Sequence, residues 1–305
     1  MTRFILKRIV QAIIVLFLLG TVVFAMTRMS GNPAVLYVSE YATQEDVILM
    51  EKRLGLDKPL PEQYGIFLSS LLRGDFGMSI RARRPALEVF LERVPATAKL
   101  CGFALLLALA FGLLGGILAA IKRGSFIDSF VRILALLGQS APSFVVAILL
   151  MYVFSVKLRL FPTAGYGGIR YLVLPAIALS SFFLAAIARL LRGSMLETLG
   201  KDYIRLARIK GLKERTVIFK HALKNSIMPV ITYVGPLSVM LVTGALAVEV
   251  VFGWPGIGQL AYQATTGLDF PVIQTTVLIL AATLIFVNLF VDILYAWIDP
   301  RIRFW

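Results

Sequence analysis

Six stretches of this chain are each apolar over roughly the 20 residues that a helix needs to cross a bilayer, given a hydrocarbon core about 30 Å thick and a rise of about 1.5 Å per residue. They cover residues 9–27, 100–121, 133–156, 172–188, 227–248 and 271–291. The third is interrupted by Gln139, Ser140 and Pro142, and the fourth is short. In lipid every backbone polar group must be satisfied internally, which leaves helices and closed barrels as spanning structures. Apolar runs of this length fit helices, so the chain reads as an all-α membrane protein with six transmembrane helices. Composition agrees. Apolar residues make up 59% of the 305 and charged residues 16%, with a mean hydropathy of +0.85. Soluble domains run at about 45–50% apolar and about 25% charged. Disorder, collagen, coiled coil and an ordinary soluble enzyme are excluded.

The net charge of +14 suggests a basic face at a membrane surface rather than nucleic acid binding. Lys and Arg concentrate in cytoplasmic loops. They cluster here at the start (Arg3, Lys7, Arg8), at Lys122, Arg123 and Arg132, between 189 and 224, and at Arg301 and Arg303. All four clusters fall on one side of a six-span arrangement, so both termini are expected in the cytoplasm. Lys157, Arg159 and Arg170 lie on the other side, against this trend. The basic front of the first stretch resembles a signal peptide. Its apolar run is too long for one, and an uncleaved first span is expected.

Residues 30–99 are the only stretch of soluble composition and form an expected outer layer, partly helical. Pro59 and Pro61 read there as helix breakers, and Gly74 and Gly77 as turns. The expected organisation is a first helix over 1–29, this outer segment over 30–99, a five-helix core over 100–300 and a short cytoplasmic tail over 301–305. Within the core, 192–226 reads as an amphipathic bracket. Met195, Leu196, Leu199, Tyr203, Leu206 and Ala207 recur at helical spacing. Gly211 then interrupts, and a second helical stretch runs from 212 to 226. On residues alone, a bracket of this kind either receives a partner or lies on anionic lipid.

Several chemistries are missing. There is no GxxxxGK[ST], HExxH or GxSxG. The single Cys101 and single His221 build neither a disulfide framework nor a Cys/His metal cage. No metal site and no catalytic residue is expected. Charges in the last two spans are few. Glu249 ends the fifth and precedes VVFGWPGIG, where Pro255 and the glycines oppose regular helix. Glu249, Phe252, Trp254, Pro255, Gly256 and Gly258 are therefore candidates for an outer gate or re-entrant loop. Asn288 and Asp292 in the sixth span are candidates for a structural pair or a pathway group.

The segment DYIRLARIKGL…HALKNSIMP (202–229) resembles the cytoplasmic EAA-type loop of ABC importer permeases, and of the dipeptide/oligopeptide/nickel subgroup in particular. Arg205, Leu206 and Ala207 stand where the general pattern has Glu-Ala-Ala, so the last Ala and Gly211 are what match. LGLDKPLPEQY (54–64), GDFGMS (74–79), EVVFGWPGIG (249–258), DFPVIQ (269–274) and NLFVDILYAWIDPRIR (288–303) extend the resemblance along the chain in order. It is similar to the B-type of two related permease subunits. The resemblance implies a type I ABC importer permease fold in the inner membrane of a prokaryote. It also implies a second, C-type permease, two ATPases that bind ATP and Mg, and an extracytoplasmic solute-binding protein. The chain itself would bind no cofactor. Arg205, Leu206, Ala207, Arg208, Lys210, Gly211 and Leu212 would form the coupling helix in an ATPase groove, with Ala207 allowing close approach and Arg208 and Lys210 pairing with acidic ATPase residues. The expected cargo is a di- or oligopeptide, with nickel or a nickel chelate as the alternative. A secondary transporter is a remoter rival, which would need ion-coupling groups near the bilayer midplane.

Overall fold

A computed structural model describes residues 2–29, 34–38 and 43–298. The expected tail over 301–305 lies outside the described residues. Among those residues there is no β-strand, and the chain is a succession of helices. α1 is Thr2–Met29, followed by α2 (Ala34–Tyr37), α3 (Gln44–Leu54), α4 (Leu60–Leu72), α5 (Ala86–Leu91) and α6 (Val94–Ile121). α7 (Phe126–Ser140) meets α8 (Ser143–Leu150), which continues as a π-helical turn over Met151–Lys157. α9 is Ile169–Leu199 and α10 is Asp202–Ile209. α11 (Glu214–Thr216) runs through a second π-helical turn, Val217–Leu223, into α12 (Lys224–Ser226). α13 (Met228–Val251), α14 (Ile257–Thr266) and α15 (Phe270–Ile298) complete the chain.

Among the described residues, five helical segments are long and apolar enough to cross a membrane, and six if α7 and α8 make one broken span. The third expected span is this pair, bent by 110°. The bend has a local cause. A residue before proline is pushed out of the α region, and Ala141 has ψ 129. Pro142 then starts α8 as its N-cap residue.

Two compact units emerge, residues 96–258 and residues 1–95 together with 259–305. This grouping by contact differs from the expected division in sequence order, because the last helix joins the first rather than the core.

In the unit of residues 96–258, α9 is the central helix, with neighbours α7, α8 and α13. α6 buries Ala96, Leu100, Ala104, Ala108, Gly112, Gly116 and Ala120, one stripe at four-residue spacing. Lipid tails are as apolar as Leu, so helices in a membrane associate through close packing of small residues. Gly112 and Gly116 show this. A Cβ on Gly112 would lie 2.9 Å from Ile187 and 3.0 Å from the Leu184 carbonyl oxygen, and one on Gly116 would lie 2.9 Å from the Ala188 carbonyl oxygen. Gly138 of α7 meets the Ser181 carbonyl oxygen in the same way. Replacing Gly112 by Leu would force α6 off α9 and cost about 1–3 kcal/mol or more. The expected readout is a fall in the fraction of monodisperse protein after mild heating in detergent. Unchanged behaviour would contradict this packing.

In the other unit, α1 packs on α15. Phe24 of α1 meets Tyr64 at 5.2 Å and Phe67 at 5.4 Å between ring centroids. Tyr64 and Thr21 share a hydroxyl hydrogen bond of 2.6 Å. α5 turns Ala86, Val89 and Phe90 inward and packs on α15. Pro59 and Pro61, expected to break helices, start one instead. Pro59 is the N-cap residue of α4 and Pro61 lies in its first turn, where the missing N–H costs nothing. α3 begins with a Thr43–Asp46 capping box and ends on Gly55 at φ 67. LGLDKPLPEQY is therefore the corner between two helices, and Gln63 Nε2 fastens it by donating to the carbonyls of Leu56 (3.0 Å) and Lys58 (2.8 Å).

The GDFGMS and DFPVIQ motifs interlock in this unit. Ser79 Oγ donates to Asp269 Oδ2 at 2.5 Å, and the backbone N–H groups of Ile80 and Arg81 also point at this buried carboxylate. Tyr37 donates to the Met78 carbonyl at 3.1 Å. Burial, with Asp269 adding to it, pushes the Tyr37 phenol up to about 12, so it stays protonated as that bond requires.

Candidate coupling segment and the turn after α13

α10 carries Arg205, Leu206, Ala207 and Arg208 of the expected coupling residues, and Lys210, Gly211 and Leu212 lie in the turn after it. The opening of α10 has a physical reason that helical periodicity did not show. The apolar pattern from Met195 to Ala207 predicts one amphipathic helix, but α9 ends at Leu199, Gly200 caps it, and Lys201 at ψ 149 turns the chain before α10 begins. Ile204 and Ala207, three residues apart, are the buried face of α10, and α10 packs on the π-helical turn Val217–Leu223. Ala207 is thus turned toward its own chain, with 7% exposure.

Arg208 is held within the chain as well. Its Nη2 and Nε donate to Glu214 Oε1 at 2.6 Å and Oε2 at 3.1 Å. The guanidinium holds the Glu214 carboxyl below the usual carboxylate range, chiefly through these hydrogen bonds. This fork ties the end of α10 to the start of α11. Between them Gly211 sits at φ 75, a region that costs other residues about 1–3 kcal/mol. A Cβ on Gly211 would meet nothing within 4 Å. The turn is therefore sterically open, and an added side chain there would project into free space.

The outside of α10 carries exposed apolar residues among its charged ones. Leu206 is 55% exposed and Ile209 is 80% exposed, with Tyr203 and Leu212 beside them in sequence at 41% each. Arg205 and Lys210 are exposed. Ile209 was not among the residues expected from sequence. Its exposure on a short helix whose opposite side is buried is the signal that finds it.

At the far end of α13, about 36 Å away along its 24 residues, the chain makes the turn around Glu249. Glu249 and Trp254 are fully buried. Thr97 Oγ1 donates to Glu249 Oε1 at 2.6 Å and accepts from the Ile257 N–H at 2.8 Å. The Gly258 N–H donates to Glu249 Oε2 at 2.6 Å. The first two amides of α14, which have no partner within their own helix, are thereby satisfied by Thr97 and Glu249. A carboxylate also suits the positive end of a helix. Trp254 Nε1 donates to the Ala96 carbonyl at 2.9 Å, and its ring meets Tyr166 edge-on at 4.7 Å. The Gly165 N–H donates to the Phe252 carbonyl at 3.0 Å. Gly256 and Gly258 have no room for a side chain, because a Cβ would overlap the Glu249 carboxylate or the Leu246 backbone. Phe252 is buried, and Pro255 lies between these two anchored ends. The expected outer-loop residues are brought together as a pinned turn.

A further buried carboxylate was not singled out from sequence. Asp128 accepts from Arg192 Nε at 2.6 Å and Nη2 at 3.0 Å, and from the Gly124 N–H at 3.0 Å. This joins the start of α7 and the turn before it to α9. Asn288, in contrast, is exposed on α15, and the Asp292 side chain lies outside what the structure describes.

Residues 112–304 match the family profile described as binding-protein-dependent transport system inner membrane component, and residues 1–101 match its N-terminal region. A probable peptide ABC transporter permease of Sinorhizobium fredii is 36% identical over 310 residues, covering 99% of each chain. A dipeptide transport system permease of Alkalihalophilus pseudofirmus is 36% identical over 333 residues, covering 100% of both chains. A glutathione transport system permease of Escherichia coli K12 is 37% identical over 305 residues, also covering 100% of both. The crystal structure of an amino acid ABC transporter shares the fold, with a TM-score of 0.51 at 18% identity, covering 70% of this chain and 94% of that one. Several membrane-length helices, relatives matched over essentially their whole length and the match to both parts of the family profile converge: the chain belongs to the family of inner-membrane permease components of binding-protein-dependent transport systems.

Proposed function

We propose that this chain forms one wall of an ATP-driven importer for short peptides, with both termini and α10 on the cytoplasmic side. A second permease completes the pathway, two ATPases bind ATP and Mg below it, and a solute-binding protein delivers cargo from outside. The peptide assignment is supported by the names of the peptide, dipeptide and glutathione relatives. No finding singles out nickel.

The observation that carries the coupling role is the exposed Leu206–Ile209 ridge on a helix whose other side is fixed to its own chain. An ATPase groove would bury that ridge, with Arg205 and Lys210 flanking it. Ala207 packs α10 inward, and Arg208 stiffens the bracket through Glu214. ATP binding would draw the ATPases together and move the brackets, and α13 joins the bracket to the turn at its far end. A ligand shifts such an equilibrium only through its differential affinity for the two states. ATP on the partners supplies that difference.

The test is ATP-dependent uptake of a radiolabelled dipeptide into proteoliposomes that contain the assembly and its binding protein. The Leu206→Asp/Ile209→Asp variant should insert and fold, since both sites are exposed, yet lose uptake by about tenfold or more, as expected when the apolar centre of an interface receives charge. Normal uptake by this variant would remove the coupling assignment. Vanadate-insensitive uptake that collapses with an ionophore would instead support a secondary transporter.

A further inference from the structure

The unit of residues 1–95 and 259–305 holds a half-open cavity of about 370 Å³, lined by α4 and by the ends of α1 and α15. Two buried polar atoms without hydrogen-bond partners belong to residues that line it, Arg28 Nε and Gln63 Oε1. Gln63 is 8% exposed. Its amide cannot be reversed, because Nε2 already donates to the carbonyls of Leu56 and Lys58, and a reversed amide would set oxygen against oxygen. Its acceptor is therefore left over by the fold itself. Arg28 lies over the Phe24 ring at 5.1 Å. A partly buried guanidinium with an unused N–H calls for an anion, and its planar fork suits a carboxylate. Phe24 and Phe67 contribute apolar wall, and Asp75 contributes a carboxylate at the rim.

We propose that this cavity is a binding site for a short peptide with a free C-terminal carboxylate, held through that carboxylate by Arg28 and through a peptide N–H or ammonium by Gln63 Oε1 and Asp75. The chemistry of the lining sets the class. One cation, one buried acceptor and one carboxylate against aromatic wall match a zwitterion with an apolar side chain better than an inorganic anion, which would leave Gln63 Oε1 unpaired and face Asp75. The proposal rests on the peptide reading above, and it places a cargo site on the permease itself.

The probe is radiolabelled Ala-Phe, with Ala-Phe amide as the ligand lacking the carboxylate. Full chain with its accompanying subunits, in nanodiscs and without the solute-binding protein, should bind Ala-Phe saturably. The amide should bind about tenfold or more weakly, the loss expected for a charge-assisted hydrogen bond. Arg28→Met should bind both ligands equally weakly, while Arg28→Lys should keep part of the preference for the acid. No saturable binding by the wild type up to about 10 mM, weaker than any specific small-ligand site of use, would overturn the site, as would equal binding of acid and amide. Uptake with the binding protein separates the two readings. Uptake of Ala-Phe without any binding in nanodiscs removes this site alone. Transport of a non-peptide solute with no uptake of peptides removes the peptide reading and the site with it.

Discussion

Glu249→Ala is expected to be among the most damaging single substitutions in the chain. The carboxylate is fully buried and takes hydrogen bonds from Thr97 Oγ1 and the Gly258 N–H. Its removal leaves both donors buried, at about 1–3 kcal/mol for each group left unsatisfied. It also leaves space against Gly256, whose Cα faces the carboxylate closely. The start of α14 would lose its anchor, and Trp254 the fixed frame that aligns its indole with the Ala96 carbonyl. The expected outcome is a large fall in the unfolding midpoint of the purified protein, with loss of uptake. Glu249→Gln keeps the shape and one acceptor and should lose much less. A stable, active Glu249→Ala variant would show that the turn is held by something else.

Asp128→Ala should have a comparable effect by a different route. The Asp128 side chain is 2% exposed and that of Arg192 is 21% exposed. Breaking such a pair by removing one partner typically costs about 3–5 kcal/mol, because the remaining charge is left uncompensated. The carboxylate also receives the Gly124 N–H, so the turn before α7 loosens together with the α7–α9 contact. The double variant Asp128→Ala/Arg192→Met removes the stranded charge and should recover part of the loss. That non-additivity in thermal stability is the signature of a direct pair. Additive losses would mean that each residue acts through other partners.

Much of the fold is legible in the sequence because lipid is a demanding solvent. A span needs about 20 apolar residues, and α1, α6, α9, α13 and α15 each contain one of the expected runs. The bend between α7 and α8 is signalled by Pro142, but its angle depends on packing. The break at Gly200 is hidden because apolar residues on both sides keep the same period, so Met195 and Ala207 look like one face. Pro59 and Pro61 mislead for a related reason. Proline opposes a helix interior and favours a first turn, and which applies depends on where the helix starts. The long-range pairs are not legible at all. Ser79 and Asp269 are 190 residues apart, Thr97 and Glu249 are 152 apart, and Asp128 and Arg192 are 64 apart. No local pattern records such distances. The motifs GDFGMS and DFPVIQ could be recognised separately, but their interlocking required the folded chain. At α10, burial turns Ala207 inward and an ion pair with Glu214 engages Arg208, while Leu206 and Ile209 stay exposed, and the spacing of apolar residues alone did not separate these roles.

In the proposed mechanism, force enters the permease at α10. Cysteine cross-linking tests this most directly. Ile209→Cys in a Cys101→Ser background, in native membranes with the full assembly, is expected to form a covalent adduct with an ATPase subunit through a short bifunctional reagent. ATP should change the yield. Met240→Cys, 52% exposed on α13, should form no such adduct. Absence of an ATPase adduct at 209 with and without ATP, or equal labelling from 240, would contradict the account.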